Sequence, residues 1–123
     1  MNRCWKKNFK IRKIGIEDER LEVINKAYDV WWLDFVLLLN AENWEWTTNR
    51  VHLKPYYRNW KKYNDHWLCW ISDYYYKEIV ENPRFTDPDY QIQECYRLYK
   101  WWTKFYWNNI KHRYKNQFIV YNN

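Results

Sequence analysis

Apolar side chains recur along this chain at helical spacing in three stretches. Leu21, Ile24, Tyr28, Trp31, Phe35 and Leu38 follow one another by steps of three or four, which places them on one face of a helix. Glu17, Asp18 and Glu19 stand where a helix dipole favours negative charge, so the pattern predicts a helix over 17–39. The segment from Val30 to Leu39 is apolar on nearly every face and is expected to be more deeply buried. Tyr56, Trp60, Tyr63, Trp67, Trp70 and Tyr74 repeat the same steps. With Pro55 at a favoured first helical position and Asn82-Pro83 as a stop, they predict a second helix over 55–81. The third is predicted over 88–115, opened by Asp87 as N-cap and Pro88 in the first turn. Lys111, His112, Arg113 and Lys115 would complement its negative end. Alternating patterns at Phe9 and Ile11, at Trp44, Trp46 and Thr48, and over 117–121 suggest short extended segments.

Composition adds two expectations. Hydrophobic residues make up 47% of the 123 positions, although the mean hydropathy is only −0.98. Eleven Trp, 13 Tyr and 5 Phe account for the contrast, so the expected core is aromatic rather than aliphatic. One domain over 1–123, with a basic arm at 1–16, fits this length. Glycine occurs once, whereas Lys, Asn, Tyr and Ile abound. That usage implies an A/T-rich gene, in which tryptophan, normally written UGG, should be rare. Its abundance suggests a code in which UGA also specifies tryptophan, as in many mitochondria, and hence an organellar origin. An A/T-rich phage or bacterial genome is the next reading.

Charge is segregated. Arg3, Lys6, Lys7, Lys10, Arg12 and Lys13 give residues 1–16 a charge of +6 with no acid. Arg97, Lys100, Lys104, Lys111, Arg113 and Lys115 do the same for 95–123, while the middle carries all fifteen acids. On a third helix continued to residue 115, the basic side chains would form a ridge within roughly 80° of arc. Aromatic and aliphatic residues would fill the remaining roughly 240°, far more than the stripe a surface helix buries. Such a face implies a partner. Basic residues interleaved with Trp5 and Phe9 suit phosphate neutralisation and base stacking, with RNA preferred to duplex DNA.

Dedicated chemistry is not legible. Cys4, Cys69 and Cys95 are odd in number and unpaired in spacing, which argues against a disulfide framework and for a reducing compartment. His66 and Cys69 could share a helix face, but one pair falls short of a zinc site. His52, His66 and His112 are isolated, and the lone Gly15 excludes a Gly-rich phosphate loop. Asp87 and Asp89 are accounted for by a helix start. Met1 to Lys13 lacks the apolar run of a secretory signal, and no segment reaches the roughly 20 apolar residues needed to cross a bilayer.

The expected protein is therefore mainly α, built on three long aromatic-rich helices, with no enzyme activity and no cofactor. It is expected to be a structural subunit of a large assembly in the mitochondrion, with other subunits as partners. A mitochondrial ribosomal protein contacting rRNA through Arg3, Lys6, Lys7, Lys10, Arg12, Lys13, Arg97, Lys100, Lys104, Lys111 and Lys115 comes first. A membrane-peripheral accessory subunit of a respiratory-chain complex is the alternative, and a phage structural or anti-defence protein the third reading.

Overall fold

A computed structural model describes residues 9–52, 54–100 and 113–121. Strand β1 (Ile11–Lys13) leads into helix α1 (Glu19–Glu42). Two hairpins follow, β2 (Tyr56–Arg58) with β3 (Lys61–Tyr63), then β4 (Asp65–His66) with β5 (Ile71–Ser72). Helix α2 (Lys77–Glu81), a 3-10 turn at Pro83–Thr86 and helix α3 (Pro88–Tyr99) come next. A second 3-10 turn (Lys115–Gln117) precedes strand β6 (Phe118–Val120), which pairs antiparallel with β1, Ile11 opposite Val120.

The expectation of three long helices is corrected. Among the described residues only α1 is long, and the interval 55–81 is mostly two hairpins. The aromatic spacing there has a different origin: Tyr56 and Tyr63 are cross-strand partners with ring centroids 6.0 Å apart, and Tyr63 meets Tyr74 edge-on at 4.8 Å. Cross-strand ring pairs stabilise a hairpin, and here their separation along the chain imitates a helical step. Asn59 and Trp60, with φ of 51° and 68°, close the first hairpin with a two-residue turn no helix can contain. The third helix starts as expected, since the Asp87 side chain accepts from the Asp89 amide. Its α-helical span ends at Tyr99; residues 101–112, on which the basic ridge and wide apolar face mostly depended, lie outside the described residues. The extended segment expected around Trp44 to Thr48 is a set of turns.

Helix α1 is broken at Trp31 (φ −154°, ψ 38°) and Trp32 (φ 54°, ψ −154°). Asp18 caps its start by accepting from the Arg20 amide. The core sits between α1, α3 and β1, and it is aliphatic where an aromatic one was expected. Ile11, Ile24, Val36, Leu37, Leu39, Leu68 and Ile92 are buried with Phe35 and Phe85. Trp46 is the one buried tryptophan among the described residues, whereas Trp32, Trp44 and Trp60 are 71%, 66% and 101% exposed.

Two buried amides hold the frame. The Asn25 side-chain oxygen accepts from the Lys10 and Ile11 amides, and its nitrogen donates to the carbonyls of Ile11 and Leu21. It ties β1 to α1 where the sheet has no further strand. Gln91 on α3 donates to the carbonyls of Thr48 and Phe85, and its oxygen accepts from the Leu68 amide at 3.4 Å. No described helix is long and apolar enough to cross a membrane.

A candidate carboxylate site in an aromatic cleft

The long helix delivers a carboxylate to an unfavourable place. Glu42 is the last residue of α1, at the negative end of the dipole, and no basic residue stands in that last turn. It lines a cleft of about 370 Å³ with Asp65 and His52, walled by Trp70, Tyr76 and Tyr99. That volume is within the range of small-ligand sites. Burial, and secondarily the Asp65 charge, push the Glu42 carboxyl above its ordinary value. Burial also raises Asp65, opposed by the adjacent His52 and reinforced by Asp73. Burial thus hinders the ionisation of both acids, and the Asp65 charge adds to the effect on Glu42.

The backbone fixes both. After Glu42 the chain turns sharply, and Asn43, itself buried, caps α1 through its amide to the Leu39 carbonyl at 2.8 Å. The Asn43 side chain donates to the carbonyls of Thr47 (2.9 Å) and Trp67 (3.3 Å), tying the helix end to the β4–β5 loop. The Trp70 indole donates to the Glu42 carbonyl. Asp65 is placed by β4, which His52 joins through its amide to the Asp65 carbonyl at 2.8 Å. The His52 ring meets the edge of Trp70 at 4.9 Å. Next to Asp65, His66 Nε2 lies 2.9 Å from an Asp73 oxygen, and the other Asp73 oxygen accepts from the Asn64 amide.

A disulfide secures the far wall. Cys69 in the β4–β5 loop is bonded to Cys95 on α3, with Cα atoms 6.0 Å apart, and Tyr99 donates its hydroxyl to the Cys69 carbonyl at 2.8 Å. The expectation that the cysteines stay unpaired is thus corrected: spacing along the chain carries no information about which residues a hairpin and a distant helix bring together. It also removes Cys69 as a partner for His66 in binding metal.

Three of the basic residues named from sequence have acidic partners within the chain. Lys10 pairs with Asp29 at 3.2 Å, Arg12 with Glu17 at 3.7 Å, and Arg97 with Glu94. Lys13 is buried, donates to the Trp44 carbonyl, and lies over the Trp44 and Phe118 rings; burial lowers its pKa. Lys100 and Lys115 are exposed, on the end of α3 and in the last 3-10 turn. Arg3, Lys6, Lys7, Lys104 and Lys111 lie outside the described residues.

Sequence reasoning missed Glu42 and Asp65. The available signal was a carboxylate in the last turn of a helix with no basic residue beside it, where electrostatics disfavours it. Asp65 offered none, because its partner lies 23 positions away across a hairpin mistaken for a helix. No protein-family model matches the chain, and neither curated proteins nor solved structures yielded a match.

Proposed function

We propose that this protein cleaves glycosidic bonds in a polysaccharide, with Glu42 as general acid and Asp65 as the second carboxylate. The observation that carries the reading is the meeting of these two acids in a cleft walled by Tyr76 and Tyr99. Paired carboxylates in unlike environments are the working parts of most glycoside hydrolases, and aromatic walls suit the apolar faces of sugar rings. Glu42, the acid at the helix end, gives its proton to the bridging oxygen as the anomeric carbon–oxygen bond breaks. Positive charge develops on the ring that holds the anomeric carbon as the bond breaks, and the Asp65 carboxylate stabilises it. A water adds to that carbon, and its proton restores Glu42. The Cys69–Cys95 bond supports action in an oxidising setting, where extracellular glycans are met.

The test is release of reducing ends from a panel of polysaccharides by the purified chain and by Glu42→Gln. Cleavage that falls by two or more orders of magnitude in Glu42→Gln supports the assignment. Equal cleavage by both, or none from any glycan, removes it.

The reading as a non-catalytic, RNA-contacting subunit of a mitochondrial assembly stands second. Exposed Lys115 favours it. The internal partners of Lys10, Arg12 and Arg97 and the burial of Lys13 leave less charge for phosphate. RNA affinity that falls steeply with salt would restore it.

A further inference from the structure

We propose that positions 32, 46, 60, 67 and 70, written as tryptophan, are glycine in the polypeptide its host makes, because the gene's UGA codons specify glycine there. The inference rests on backbone conformation and does not depend on the reading of the cleft.

Seven described residues have positive φ: Gly15, Asn59, and the five tryptophans Trp32, Trp46, Trp60, Trp67 and Trp70. Few non-glycine residues adopt such a conformation; Asn does so more readily than most, whereas for a bulky side chain it is a genuine outlier. Here bulk and positive φ coincide five times in one chain. The chain also holds eleven tryptophans against a single glycine. Misreading one codon would produce both anomalies at once.

Two positions are diagnostic in detail. Asn59-Trp60 forms the two-residue turn between the paired residues Arg58 and Lys61, with φ of 51° and 68°. A two-residue turn with both φ values positive is the hairpin turn that most strongly selects Asn-Gly. Trp32, with φ 54° and ψ −154°, lies at the edge of a region essentially reserved for glycine, and it sits where α1 breaks. Neither indole is compensated by burial, since Trp60 is 101% and Trp32 71% exposed. At Trp46 and Trp67 the indole is packed, the first bonded to Asn40 at 3.0 Å and the second stacked on Phe85 at 4.2 Å.

The replacement bears on the cleft as well. Glycine at 70 removes the indole from its wall and opens the approach to Glu42. Glycines at 67 and 70 would flank the Leu68-Cys69 pair, leaving backbone that a bound chain can approach closely.

The experiment is peptide mass spectrometry of the chain isolated from its native host, read beside the codons of its gene. The proposal expects UGA at all five positions and peptides carrying glycine at each. UGG at position 32 or 60, or peptides with tryptophan at those positions, overturns it; UGA codons with tryptophan peptides instead establish the code in which UGA means tryptophan. A second measurement needs no host: the chain expressed with glycine at 32 and 60 should melt several degrees above the chain with tryptophan there, and a lower melting point contradicts the proposal.

Discussion

Replacing Trp60 by glycine should stabilise the protein, contrary to the usual cost of deleting a large aromatic residue. An L-residue in the left-handed region costs roughly 1–2 kcal/mol, and Trp60 sits there at φ 68°. Glycine returns roughly 0.5–1 kcal/mol of this, because it has more backbone freedom to lose on folding. No burial is forfeited, as the side chain is 101% exposed. The balance favours Trp60→Gly by about 0.5–1 kcal/mol, or about 2–6 °C in Tm for a domain of this size. Trp44→Gly is the control. Trp44 is 66% exposed, is not among the residues of positive φ, and packs beneath the Lys13 ammonium. About a third of its surface is buried, so its removal should cost about 2 kcal/mol before glycine's own penalty. Thermal melts of the two variants beside the parent chain decide the matter. If both are destabilised alike, the turn carries no strain and the reasoning about positive φ fails.

Three further predictions follow from the frame and the cleft. Breaking the Cys69–Cys95 bond by Cys95→Ser should cost about 3.5 kcal/mol in chemical denaturation, the loop entropy for a separation of 26 residues; a loss under 1 kcal/mol would contradict it. Asn25→Ala should cost about 3 kcal/mol by the same measurement, because it leaves buried backbone groups of β1 and α1 without partners. Glu42→Gln should be inactive yet more stable near neutral pH. The raised Glu42 carboxyl binds its proton more tightly folded than unfolded, so its contribution is fully present below 4.5 and is lost as pH rises through the folded value. The Tm advantage of Glu42→Gln should therefore grow with pH above 4.5, and a constant difference would refute the assignment.

Helix starts were legible because their signals are local. Asp87 before Pro88, and the acids from Glu17 to Glu19, act within one turn of the helices they open. The hairpins were not legible, because the residue at which β2 must turn into β3 reads as Trp60 rather than as the glycine that marks Asn-Gly turns. Without that punctuation, Tyr56, Trp60 and Tyr63 fall into helical step. The abundance of tryptophan suggested an aromatic core, whereas Trp32, Trp44 and Trp60 face solvent and Leu37, Leu39 and Ile92 fill the interior. Glu42 and Asp65 were hidden for another reason. Their meeting depends on the Asn43 bonds that lay the β4–β5 loop against the end of α1, a long-range consequence with no short-range mark.

A general acid at Glu42 requires a carboxyl that holds its proton more tightly than usual under the influence of Asp65. Carbon-13 NMR titration of the Glu42 carboxyl, in the parent chain and in Asp65→Asn, measures this directly. The midpoint should lie above 4.5 in the parent and move down when the neighbouring charge is removed. A midpoint at or below 4.5, unmoved by Asp65→Asn, would contradict it.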